Sequence, residues 1–172
     1  MLPDSDHQDD DRGVRWLTPG QRLAWLDMVR VLTVLPAALD AQLDRDAGLS
    51  LFEYHVLSML SEVPGRTLRM SRLAQLTSSS LSRLSNVVKR LEGRGLVHRD
   101  PDPDDRRATR AVLSDAGMAA VERAAPGHVA TVRDLVVDAL DASQLAQLHA
   151  IHQQILARLD PGAATRPDWV ER

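Results

Sequence analysis

Residues Arg94 to Gly117 read RGLVHRDPDPDDRRATRAVLSDAG. Leu96 and Val97 form a short apolar strand, and a loop of Asp, Pro and Arg follows. A second apolar run spans Ala111 to Leu113, and Ser114 then stands where a helix would be capped. Two adjacent arginines, Arg106 and Arg107, lie at the acidic tip of this hairpin. Guanidinium groups in such a turn do not belong in a core, because a charge taken out of water needs a partner. They suit a finger held toward a polyanion.

Working outward, the segment before the hairpin predicts a helix over Ser79 to Arg94. Leu81, Leu84, Val88 and Leu91 fall on its apolar face, and Gly93 and Gly95 bracket its end. Thr77 to Ser80 reads as a polar turn, Ser71 to Leu76 as a short helix, and Thr67 to Met70 as a short strand. Further back, Ser50 with Glu53 three residues on is a capping-box pattern, with Phe52, Val56, Leu57 and Leu60 inward. Thr18-Pro19 can open a first helix, whose apolar residues recur from Leu23 to Leu43. Pro36 should kink it and Gly48 should end it. Beyond the hairpin, Ser114 to about Ala139 predicts a long helix, kinked or split at Pro126-Gly127. Asp141 starts the last one, with a stripe of Leu145, Leu148, Ile151, Ile155 and Leu159. The fold class is therefore mainly α with a small β-hairpin wing: a winged helix-turn-helix with long terminal dimerisation helices. Those helices carry more apolar surface than one small bundle needs, which predicts a homodimer.

The expected organisation has four parts. Residues 1–15 form an acidic disordered tail, and 161–172 a mobile tail in which Trp169 could dock. Residues 16–48 and 114–160 form a helical dimerisation region. Residues 49–113 form the winged-helix domain. His7 among the aspartates of the first tail reads as solvated rather than as a metal site.

The 172-residue chain has no cysteine, which excludes disulfides and thiolate zinc sites. No apolar run approaches the ~20 residues of a membrane span, and the acidic N-terminus is unlike a signal peptide. The cytoplasm is the simplest location. Net charge is −3, but it is unevenly spread. Residues 66–110 hold eleven Lys/Arg against five Asp/Glu, a balance of +6, while the remainder carries −9. A basic centre between acidic ends suits contact with nucleic acid.

Opposite the leucines, the helix before the hairpin presents Ser82, Arg83, Ser85, Asn86, Lys89 and Arg90. These side chains can bond base edges or phosphate. Ser79 and Ser80, at its start, would offer backbone N–H groups to phosphate. In the hairpin, Asp105 should stiffen the tip so that Arg107, or Arg106, can enter a minor groove.

These segments resemble the MarR-type winged-helix regulators over residues from about 20 to 160. The resemblance is carried by LSLFEYHVLSMLSEVPGRTLRMSRLAQLT (49–77), SSSLSRLSNVVKRLEGRGLVHR (78–99) and DPDDRRATRAVLSDAG (102–117). The family's wing pattern fits Asp105, Arg107, Leu113, Ser114 and Gly117. Ala108 stands where Ser is frequent, and Ser114 where Thr is commoner. The resemblance implies a dimer built from the terminal helices, a recognition helix in the major groove of double-stranded DNA and a wing in the minor groove. It also implies a response to a small molecule or oxidant; without cysteine, the thiol-oxidation route is closed. A pocket for a small apolar or aromatic ligand would lie between the dimerisation helices and the DNA-binding unit, with Trp16, Trp25, Met28, His55 and Met59 as candidate linings. Core or interface is the stronger reading of the same five residues.

The leading function is a sequence-specific transcriptional regulator, a repressor binding a pseudo-palindromic operator and released by an effector. The alternative is a winged-helix protein-interaction module without specific DNA binding; salt-insensitive, weak DNA binding would mark it. An enzyme is not indicated, since no nucleophile–base pair, phosphate loop or paired apolar carboxylates occur. No cofactor or metal is expected: His149 and His152, three apart, read as surface.

Overall fold

The computed structural model describes residues 13–105 and 107–159. The expectations for most of the first tail, for Arg106 and for Trp169 lie outside them. Helix α1 (Pro19–Ala47) runs through Pro36 without interruption, then come α2 (Leu51–Ser61), a 3-10 turn (Pro64–Arg66) and strand β1 (Thr67–Arg69). Helices α3 (Met70–Leu76) and α4 (Leu81–Gly93) precede β2 (Val97–Pro101) and β3 (Thr109–Leu113). Helices α5 (Asp115–Val132) and α6 (Ala142–Leu159) complete the order, joined through a π-helical turn at Arg133–Val137.

The chain divides into two compact units, residues 1–36 and 37–172. In the first, no residue from 13 to 36 is buried, and Leu23, Leu26, Leu32 and Val34 are exposed. In the second, a core forms around Leu49, Val56, Leu57, Leu60, Leu73, Leu84, Val88 and Leu91. Leu43 from the end of α1 joins it, as do Ala120, Val121 and Ala124 from α5. Helix α6 contributes no buried residue: Leu145, Leu148 and Ile155 are half-buried, and Ile151, Leu156 and Leu159 are exposed.

Local chemistry sets the boundaries. Ser50 accepts from the Glu53 amide while Glu53 accepts from the Ser50 amide, the reciprocal cap read from the sequence. Gly95, at φ +70°, ends α4. The Gly95 amide donates to Glu92 and the Leu96 amide to Leu91, so two carbonyls at the helix end are satisfied. Ser114 caps α5 through the Gly117 amide at 3.0 Å. Asp141 and Gln144 cap α6 reciprocally.

Two expectations need correction. Helix α4 starts at Leu81, because Ser80 is its cap; Leu81 is exposed rather than on the apolar face, and Val87 is buried. Helix α5 runs through Pro126-Gly127 unbroken, and regular α geometry gives way only at Arg133. The Gly127 position is crowded: a Cβ there would stand 3.2 Å from the Gln42 amide nitrogen and 3.3 Å from the Asp46 carboxylate. Gly127 thus lets the two helices approach inside the second unit. The short strand expected at Thr67 to Met70 is present as β1 and joins the hairpin in a three-stranded sheet, in the order β1-β3-β2, all antiparallel. Leu68 lies opposite Ala111, and Arg99 opposite Ala111 on the other side.

Candidate nucleic-acid interface

Helices α3 and α4 are joined by a tight polar turn. Thr77 is buried and its hydroxyl donates to the Leu73 carbonyl at 2.8 Å. Ser78 takes φ +47°, a left-handed conformation that a non-glycine residue rarely adopts. The Ser79 amide donates to Ala74 at 2.9 Å, and its hydroxyl lies 3.0 Å from that of Thr77. Ser79 therefore shapes the turn, and its N–H is not free for phosphate. The Ser80 hydroxyl accepts from the Arg83 amide at 3.2 Å. That leaves Leu81 and Ser82 as the first-turn amides for which the helix supplies no acceptor.

Leu84, Val87, Val88 and Leu91 anchor α4 in the core. At 100° per residue, Ser82, Asn86 and Lys89 point the opposite way, and all three are exposed. Ser85 is half-buried beside them. Arg83 and Arg90 sit on the flank facing α2. The Arg83 guanidinium lies over the Phe52 ring, 4.4 Å from its centroid. The Arg90 Nε donates to the buried carboxylate of Glu53 at 3.3 Å, and Arg94 reaches the same group at 3.6 Å. These arginines orient α4 on α2 before they meet any ligand.

The wing is organised by Asp102, a residue the sequence reading counted only as charge. It is 4% exposed. It accepts a two-pronged bond from Arg69, at 2.7 Å from Nε and 3.0 Å from Nη2. It also accepts from the amides of Asp104 and Asp105. The Arg69 bond, aided by those amides, holds its carboxyl below the ordinary carboxylate value. Asp105 plays its expected part on a smaller scale, accepting from the Arg107 amide at 3.0 Å. Its carbonyl accepts from Ala108, while Asp102 donates to the Ala108 carbonyl across the hairpin. Arg107 is exposed at the tip. At the base of the wing, Arg99 binds Glu92 of α4 at 2.6 and 3.0 Å and lowers that carboxyl as well. Arg66 reaches Asp115 at the start of α5. An Asp directly after the charged strand β2, matched by an Arg directly before a helix start, was the available signal for the Asp102 tie. Only the β1–β3 pairing makes the two neighbours.

The expected pocket residues divide differently. Trp16 and Trp25 are exposed and Met28 is half-buried, all within the first unit. In the second unit, Met59 packs on the core and His55 is half-buried, with burial lowering its imidazole pKa. An open cleft of about 370 Å³ lies between α2 and α4, lined by Asp40, Ser50, Phe52, Arg83, Asn86, Val87 and Arg90. It contains none of the five. His149 and His152 are exposed on α6. Among the described residues, no helix is long and apolar enough to cross a membrane.

A helix-turn-helix followed by a pinned hairpin that completes a three-stranded sheet is a winged helix-turn-helix, a DNA-binding class. The chain belongs to the MarR family of transcriptional regulators. The family's sequence model matches residues 47–108. An HTH-type transcriptional repressor of Mycobacterium tuberculosis is 33% identical over 132 residues, covering 77% of this chain and 86% of its own. A MarR family regulator of Streptomyces coelicolor, crystallised in complex with DNA, is 41% identical with a TM-score of 0.84; the match covers 86% of this chain and 96% of that one. AbsC, a MarR family regulator of the same organism, is 36% identical with a TM-score of 0.83, covering 86% and 99%.

Proposed function

We propose that the protein is a homodimeric repressor working in the cytoplasm on a two-fold operator. The outward face of α4 enters the major groove, and Arg107 enters the adjoining minor groove. One observation carries this reading: Ser82, Asn86 and Lys89 face outward from a helix whose opposite side is core, beside a hairpin fixed by Asp102 with Arg107 at its tip. Lys89 supplies a phosphate contact, Ser82 and Asn86 hydrogen bonds to base edges, and Arg107 a cation for the groove of greatest negative potential. The relative solved with DNA and the mycobacterial repressors support the DNA target and the sign of regulation.

Dimerisation is supported by the uncovered apolar side chains before Pro36 and along α6. A second copy would bury them and place two α4 helices about 34 Å apart, one helical turn of DNA. Residues 49–113 then read DNA, while 16–48 and 114–160 dimerise.

Gel shifts of the full chain on a duplex selected from fragmented source DNA test the reading. Affinity should fall steeply between 50 and 200 mM salt, as ~6–10 phosphate contacts require. Arg107→Ala should weaken binding roughly fivefold or more, and Asn86→Ala should relax base preference at one position per half-site. Unchanged affinity and specificity in both variants would sink the assignment. Salt-insensitive, weak binding would favour the protein-interaction module.

A further inference from the structure

Leu81 is the first residue of α4 and is 54% exposed. The other exposed large hydrophobic side chains among the described residues all lie before Pro36 or after Gly127, in the segments left for a second copy. Between those points Leu81 stands alone. A single exposed leucine is ordinary on a protein surface. Its address is not: it occupies the leading end of the helix whose face is offered to DNA.

Its neighbours are polar. Ser79 and Ser80 precede it, Ser82 follows, and Ser85 lies one turn along on the same side. The flank bearing Arg83 and Arg90 is turned the other way, toward α2. Side chains at the N-terminal end of a recognition helix are those that meet base edges. Ser82, Ser85, Asn86 and Lys89 bring only hydrogen-bonding groups to that meeting; Leu81 brings only carbon. In the major groove the feature read by carbon is the C5-methyl group of thymine. We infer that Leu81 is a specificity determinant that packs on a thymine methyl in each operator half-site. The inference rests on the placement of α4 in the major groove proposed above.

The test uses the full chain and a duplex chosen by it from a randomised library. Each thymine in turn, with its symmetry mate, is replaced by deoxyuridine, which keeps every hydrogen bond and lacks only the methyl. The wild type should lose about fourfold in affinity per methyl removed at one position. Leu81→Ala should bind the parent duplex more weakly and be indifferent to deoxyuridine at that position. Leu81→Met, which keeps an apolar tip, should retain the penalty. Because the side chain is exposed, both variants should unfold at the wild-type temperature. The inference is overturned if Leu81→Ala keeps the full deoxyuridine penalty, or if the wild type shows none. Arg107→Ala and Asn86→Ala on the same duplexes separate the two failures. If they lose affinity while Leu81→Ala behaves as wild type, only the thymine contact falls. If they too behave as wild type, the placement of α4 and the thymine contact fall together.

Discussion

Gly117→Ala sets two calculable effects against each other. Gly117 is the third residue of α5 and is buried. Alanine in place of glycine inside a helix gains up to about 1 kcal/mol from backbone entropy. But a Cβ at Gly117 would collide with the carbonyl oxygen of Leu96, and would meet Leu113 Cδ1 at 2.6 Å. The leucine tip could rotate aside; the carbonyl could not. It accepts the Ser114 amide at 3.1 Å, and the neighbouring Gly95 carbonyl accepts the Ser114 hydroxyl at 2.7 Å. Relief requires α5 to back away from the end of α4 and stretch both bonds. Overpacking costs about 1–3 kcal/mol, and each weakened bond about 1 kcal/mol. Mid-range overpacking and two weakened bonds, less the helix gain, leave a loss of about 3 kcal/mol. In a chain of this size 1 kcal/mol moves Tm by about 2–4 °C, so Gly117→Ala should unfold about 6–12 °C below the wild type. Gly93→Ala is the control: its Cβ would meet nothing within 4 Å, so Tm should hold or rise slightly. Circular dichroism at one protomer concentration measures both, since the proposed dimerisation would make Tm concentration-dependent. A Gly117→Ala protein that melts at or above the wild-type temperature would refute the claim that this contact requires glycine.

The wing gives further expectations. Asp102→Ala should weaken operator binding by roughly fivefold or more, the worth of one groove contact, and adding Arg107→Ala should cost little beyond that, since a loose hairpin has already lost its tip; gel shifts of the double-mutant cycle measure it. Because the folded Asp102 carboxyl titrates below its ordinary value of 3.8, its anchoring is complete above that pH and is lost only as pH falls through the lower folded value. Hydrogen-exchange protection at the Asp104 and Asp105 amides should therefore be equal at pH 7 and pH 5; a drop at pH 5 would contradict the assignment. Arg83→Ala should shift base preference less than Asn86→Ala, because its guanidinium is seated on Phe52. A selection experiment in which Arg83→Ala is the broader of the two would reverse their roles.

The fold was legible wherever one residue type answered one backbone demand. Ser50 with Glu53, Gly95 after a leucine stripe and Ser114 before Gly117 each have a single economical reading, and each stands where that reading puts it. Periodicity failed at the ends. Leu81 keeps the leucine spacing of α4, yet the first turn projects past the core, so spacing alone could not separate it from Leu84. Pro126-Gly127 misled for a different reason. A proline removes one hydrogen bond, but packing decides whether the helix breaks, and Gly127 lets α5 lie close to Gln42 and Asp46.

The site was legible as charge but not as geometry. The local balance of +6 is correct arithmetic, yet the cations are not equivalent. Arg69, Arg90, Arg94 and Arg99 are tied to Asp102, Glu53 and Glu92, carboxylates that are buried or hydrogen-bonded. Each tie fixes a part relative to another: wing to β1, α4 to α2, β2 to α4. Such arginines still raise the potential of the surface, since a carboxylate several ångströms deeper screens them incompletely. They contribute to attraction at a distance more than to recognition in contact. On the proposed reading, recognition falls to the groups held out by those ties, which are short and mostly uncharged along α4, with Arg107 at the wing. The acidic residues of the hairpin follow the same logic. Asp102 accepts from the amides of Asp104 and Asp105, and Asp105 from that of Arg107, so two of the hairpin's carboxylates are answered within the loop itself.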